Sequence, residues 1–99
     1  MKILVQSVNF NADAGLIEFV EKKINSLEKY YDKIAVSEVF LKVQQTSEKE
    51  NKLVDIKLNI PGGDLIVKKQ CKTFEEGIML ASDSLKRKLT KEKEKLRVK

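Results

Sequence analysis

Residues 52–70 constrain this chain more than any other stretch. From Lys52 to Ile60 the side chains alternate, with Val54, Ile56, Leu58 and Ile60 on one face and Leu53, Asp55, Lys57 and Asn59 on the other. A period of two is the pattern of a half-buried β-strand. Pro61-Gly62-Gly63-Asp64 follows as a tight turn, and its Gly-Gly pair suits a two-residue hairpin loop. Leu65 to Gln70 reads as the return strand, with Leu65 and Val67 inward and Lys68 outward. A hairpin with one wet face needs an apolar layer over the other face.

Two amphipathic segments supply that layer. In the first, Leu16, Ile17, Val20, Ile24, Leu27 and Tyr31 recur in steps of one, three and four, which puts them on one helical stripe. Asp13 is placed to cap its amides, and the helix is expected to end near Tyr31-Asp32. In the second, Thr73-Phe74-Glu75-Glu76 is a capping box, with the Thr73 hydroxyl reaching forward and Glu76 reaching back. Phe74, Ile78, Ala81, Leu85, Leu89 and Leu96 form its core stripe. Residues 2–8 and 36–45 read as two further strands, and residues 46–51 as a polar loop. The expected fold is a single α+β domain over residues 1–99. Its order is β-α-β-β-β-α, a sandwich with a mixed or antiparallel four-stranded sheet and both helices on one face.

Charge is distributed unevenly. Residues 85–99 carry eight bases (Lys86, Arg87, Lys88, Lys91, Lys93, Lys95, Arg97, Lys99) and two acids, Glu92 and Glu94. The other residues carry 12 bases and 13 acids, so the whole positive excess lies in the last segment. Around a helix centred on Leu85, Arg87 and Lys91 point away from the core. Lys88 and Lys95 line one flank, and Lys86 and Lys93 the other. Such a crescent suits a polyanion, and a solvated helix end with its dipole-favoured cations is the plain alternative. Lys42, Lys57 and Lys68 share the open sheet face and read as solvated.

The composition excludes several chemistries. With no His there is no Ser-His-Asp set and no imidazole proton shuttle. One Cys and no His assemble no Cys/His zinc site, and Cys71 reads as a small filler at a strand end. Glu75-Glu76 and the loop pair Glu48/Glu50 are explained by capping and solubility. No phosphate-cradling glycine loop, RRM aromatic motif or KH GXXG loop is present. The expectation is therefore a protein that is not an enzyme and carries no cofactor or metal. No apolar run spans a bilayer, so cytoplasmic, membrane-free behaviour is expected, and the free protein is expected to be a monomer. The six aromatics, Phe10, Phe19, Tyr30, Tyr31, Phe40 and Phe74, all lie outside the basic tail, so RNA would be read through shape and backbone.

The chain resembles the short ribosome hibernation promoting factors, the ribosome-associated inhibitor or sigma-54 modulation family. The resemblance is carried by Leu16-Ile17-Glu18-Phe19-Val20, Leu27-Glu28-Lys29-Tyr30-Tyr31-Asp32-Lys33-Ile34, Leu41-Lys42-Val43, Gly62-Gly63 and the run from Leu85 to Leu96. It implies a fold similar to double-stranded-RNA-binding domains. It also implies binding to rRNA of the small ribosomal subunit, in the channel of messenger RNA and the transfer-RNA anticodon arms (the A and P sites). Idle ribosomes would thereby be silenced under stress or in stationary phase. Arg87, Lys91, Lys93 and Lys95 match the family's basic helix, and Lys23 matches a basic position on the first helix; Lys86 and Lys88 are additional bases. Thr73 and Glu75 stand where the family usually has Asp and Tyr, so the capping oxygen is kept and the ring is not. No C-terminal dimerising domain is expected, so pairing of ribosomes would need a second factor or would not occur. A generic duplex-RNA-binding module is the alternative reading.

Overall fold

A computed structural model describes residues 1–44 and 49–97, with side chains through Lys95. The elements are β1 (Lys2–Val8), α1 (Ala14–Asn25), β2 (Val36–Val43), β3 (Lys52–Ile60), β4 (Gly63–Cys71) and α2 (Phe74–Arg97). The sheet order is β1-β2-β3-β4. β1 runs parallel to β2, and the β2–β3 and β3–β4 pairs are antiparallel, so the sheet is mixed. A parallel pair needs a crossover connection, which α1 provides. This is the expected α+β sandwich.

The register places the alternation of β3 as the sequence dictates. Val39, Ile56 and Val67 lie side by side across three strands, as do Ser37, Leu58 and Leu65. Under them pack Val20, Ile24 and Leu27 from the first helical segment and Ile78, Ala81, Leu85 and Leu89 from α2, all fully buried. Each such aliphatic side chain contributes about 1.5–3 kcal/mol relative to exposure. The other face carries Lys42, Asp55, Lys57 and Lys68 to solvent, and also the apolar Leu4, Val8 and Ile66.

Both helix starts carry the expected capping oxygen. The Asp13 carboxylate accepts from the Leu16 amide at 2.7 Å. The Thr73 hydroxyl accepts from the Glu76 amide at 3.1 Å; the reciprocal bond from the Glu76 side chain is not among the described hydrogen bonds. Phe10 stacks on Phe74, with centroids 4.7 Å apart, and covers the first turn of α2.

Three boundaries differ from expectation. The first α-helix stops at Asn25, not near Tyr31-Asp32, and a 3-10 turn over Ser26–Lys29 replaces its last turn. The Ser26 hydroxyl donates to the Lys23 carbonyl at 2.6 Å, and a serine competing for backbone acceptors favours such a tightening. The hairpin loop is Pro61-Gly62, because Ile60 pairs with Gly63 and the second glycine opens β4. Gly62 has φ +90°, the value of the third position of a type II turn that follows proline. β2 ends at Val43, and the Gln44 amide donates to the Asn51 carbonyl at 2.8 Å. Gln45, residues 46–48 of the expected polar loop, and the side chains of Leu96, Arg97 and Lys99 lie outside the described residues.

α2 is seated closely. Gly77 is buried, and a Cβ built there would lie 2.7 Å from Val54 Cγ2 on β3. Glycine at this position lets the helix backbone rest directly on the sheet.

Candidate nucleic-acid interface

The buried stripe of α2 fixes where its cations point. With Leu85 and Leu89 fully buried, Arg87 and Lys91 emerge on the outer surface and are exposed. They line a shallow depression of about 590 Å³ along the helix, shared with Lys86, Lys88 and the acid Glu94. Positions four apart on a helix rise by about 6 Å, so Arg87 and Lys91 present two cations one turn apart on the same side. Such a row is able to meet more than one phosphate of a nucleic-acid backbone.

The flanking cations are not equivalent. Lys88 leans toward the sheet, where its ammonium donates to the Ile66 carbonyl on β4 at 3.2 Å. Lys86 leans to the opposite flank, 3.8 Å from Asp83, with its ammonium 5.5 Å from the centroid of the Tyr30 ring. Lys95 lies 3.5 Å from Glu92 one turn back. These are exposed pairs of small energetic weight, so the three side chains remain available to stronger anionic partners. Lys93 has no ion-pair partner among the described residues.

Lys23 is set apart on α1, half-buried, with its ammonium 5.8 Å from the Phe19 ring. The fold nevertheless brings it to Lys86: both border a notch of about 70 Å³ between the two helices, with Ser26, Met79, Ser82 and Asp83. The seven basic residues singled out from the sequence thus fall into an outward group (Arg87, Lys91), one near the 3-10 turn (Lys86, Lys93), one beside the sheet edge (Lys88), one at the far end (Lys95) and one across the notch (Lys23).

Sequence reasoning missed two participants. Lys29, the last residue of the 3-10 turn, and Tyr30, which follows it, border a groove with Thr90, Lys93 and Glu94. They are distant from α2 in the chain, and only the packing of the 3-10 turn against that helix joins them. The pairing of Tyr30 and Tyr31 was a partial signal, since one ring of such a pair is expected inside and the other outside; Tyr31 is 5% exposed and Tyr30 37%.

Nothing else in the described residues competes as a site. No group of three or more His, Cys, Asp or Glu is positioned to hold a metal ion among them. Among the described residues no helix is long and apolar enough to cross a membrane. Cys71 is buried at the end of β4, and burial pushes its thiol above the ordinary 9.0, with Glu76 and Glu50 adding to the shift.

Residues 3–97 match the family described as Sigma 54 modulation protein / S30EA ribosomal protein. A ribosome hibernation promoting factor of Escherichia coli K12 is 33% identical over 97 residues, covering 98% of each chain. One from Pseudomonas putida is 28% identical over 95 residues, covering 96% of this chain and 89% of the relative. Among solved structures, a ribosomal subunit interface protein from Coxiella burnetii superposes with a TM-score of 0.82 at 22% identity, covering 94% and 98% of the two chains. The N-terminal domain of Thermus thermophilus Protein Y gives 0.77 at 24% identity, covering 92% and 98%. These two likenesses speak to the fold.

Proposed function

Since the chain belongs to the Sigma 54 modulation protein / S30EA ribosomal protein family, we propose that it is a ribosome hibernation factor acting in the cytoplasm. It binds the small ribosomal subunit through rRNA phosphates, in the channel used by messenger RNA and the transfer-RNA anticodon arms, and silences idle ribosomes under stress. The observation that carries this reading is the outward row on α2, where Arg87 and Lys91 stand exposed above a fully buried Leu85-Leu89 stripe. Inhibition is steric: a rigid body held by phosphate contacts occupies the path of the decoding ligands. No bond is made or broken, and no cofactor is needed.

The test is co-sedimentation with purified small subunits across a salt series. Log affinity is expected to fall linearly with log salt, by about 0.9 per phosphate neutralised on duplex-like RNA. The variant Arg87→Glu/Lys91→Glu/Lys95→Glu is expected to keep its melting temperature and lose co-sedimentation, because these side chains sit outside the core. Undiminished co-sedimentation overturns α2 as the contact surface. Full competition by plain duplex RNA favours a generic duplex-binding module instead.

A further inference from the structure

The Tyr30 ring is exposed yet held in place. Its backbone amide donates to the Leu27 carbonyl at 3.0 Å, and its neighbour Tyr31 is anchored in the core, so the backbone on both sides is fixed. A tyrosine so mounted has only two side-chain torsions left to order, which makes it a low-cost contact surface. The ring borders a groove of about 240 Å³ with Lys29, Thr90, Lys93 and Glu94. Lys86 stands 5.5 Å from its centroid. Three lysines and one glutamate therefore border a single exposed aromatic ring.

That combination is the chemistry of a nucleobase seat. A base stacks on an aromatic face regardless of its identity, and adjacent cations hold its phosphates. Bases inside an A-form helix offer no free face, so the occupant must be an unpaired nucleotide. The groove has room for one planar base. Its rim offers the Glu94 carboxylate as an acceptor and the Thr90 hydroxyl, which donates to the Lys86 carbonyl at 2.8 Å and keeps its lone pairs free. Both can accept from an exocyclic amine.

We propose that Tyr30, together with Lys29, Lys86 and Lys93, forms a seat for one unpaired RNA base at the junction of the 3-10 turn and α2. The proposal rests on the reading of α2 as the RNA-facing surface and adds a contact of a different kind to its phosphate contacts. The phosphate row gives affinity for any folded RNA, whereas the seat distinguishes RNA with an extruded nucleotide from a perfect stem.

The test compares two RNA hairpins, one fully paired and one with a single extruded base, against the full chain and its Tyr30→Leu and Tyr30→Phe variants. The wild-type protein is expected to prefer the bulged hairpin by about 5- to 150-fold, the range of one base–aromatic stack. Tyr30→Phe keeps that preference and Tyr30→Leu loses it, with phosphate-driven binding to the paired stem unchanged. A second readout needs no variant: the chain has two Tyr and no Trp, so stacking on Tyr30 quenches the intrinsic emission when the bulged hairpin is added. Equal binding of both hairpins by wild type, or equal preference in wild type and Tyr30→Leu, overturns the seat, as does absence of quenching. Small subunits bound equally by wild type and Tyr30→Leu but not by the Arg87/Lys91/Lys95 variant remove the seat and leave the hibernation reading standing. A wild-type protein that ignores small subunits yet prefers the bulged hairpin does the reverse.

Discussion

Replacing Gly77 with alanine sets two effects against each other, and the structure decides between them. In an exposed helix the change would stabilise by about 1 kcal/mol, because glycine is the poorer helix former. Here the new methyl would meet Val54 Cγ2 at 2.7 Å and Val54 Cβ at 3.5 Å. Val54 cannot give way cheaply. It is fully buried, it is β-branched and stiff at χ1, and its β3 backbone is paired on both sides with Leu41 and Lys69. Overpacking of this kind costs about 1–3 kcal/mol, which matches or exceeds the propensity gain. The expected net result is a loss of up to about 2 kcal/mol, read as a melting temperature lower by up to about 16 °C for a domain of this size. Thermal unfolding by circular dichroism measures it, and a double-mutant cycle isolates the cause. In a Val54→Ala background the clash is gone, so Gly77→Ala should become neutral or stabilising. If Gly77→Ala costs the same in both backgrounds, or raises the melting temperature of the wild type, the close seating of α2 on β3 is not the reason for glycine.

Three further outcomes follow from the same geometry. Thr73→Ala removes the hydroxyl that accepts from the Glu76 amide and is expected to cost about 0.5–2 kcal/mol in denaturant unfolding, with Thr73→Asp retaining stability. Cys71 should resist alkylation in the native protein near neutral pH and react at once in denaturant. Its thiol is raised in the fold, so the stability tied to it is complete below the unfolded thiol's range near pH 8.5–9 and declines as pH climbs through the folded value; unfolding midpoints at pH 7 and pH 10 measure this. Lys88→Met keeps the apolar stem but loses the bond to the Ile66 carbonyl, and should lower the melting temperature by about 2–4 °C, a weak exposed hydrogen bond, while Arg87→Met leaves it unchanged.

What the sequence announced was what repeats along the chain. Alternation in β3 fixed the hairpin and its inner face, and the three-and-four spacing of Ile78, Ala81, Leu85 and Leu89 fixed the buried side of α2. From that side the outward placement of Arg87 and Lys91, and the opposite leanings of Lys88 and Lys86, followed by rotation alone. What depends on contacts between distant segments was not announced. The Gly77–Val54 approach looks in sequence like any helical glycine. The 3-10 turn over Ser26–Lys29 interrupts a stripe whose apolar spacing continues without a break, because the local serine bond, not the periodicity, tightens the backbone. The aromatic ring beside the basic helix was invisible for the same reason: Tyr30 reaches Lys86 only through tertiary packing.

The parallel pairing of β1 with β2 has a consequence for how the chain acquires its shape. The hairpin of β3 and β4 closes over two residues, so it can form as soon as it is synthesised. Among the described residues β1 has only β2 as a sheet partner, and α1 with its 3-10 turn must be traversed before that partner exists. Closing the longer loop carries the larger entropic cost. β1 is therefore docked late, and its core-facing Ile3 and Val5 stay in solvent while the nascent chain grows. Pulse-labelled hydrogen exchange during refolding should find amides of β1 protected after those of β3 and β4.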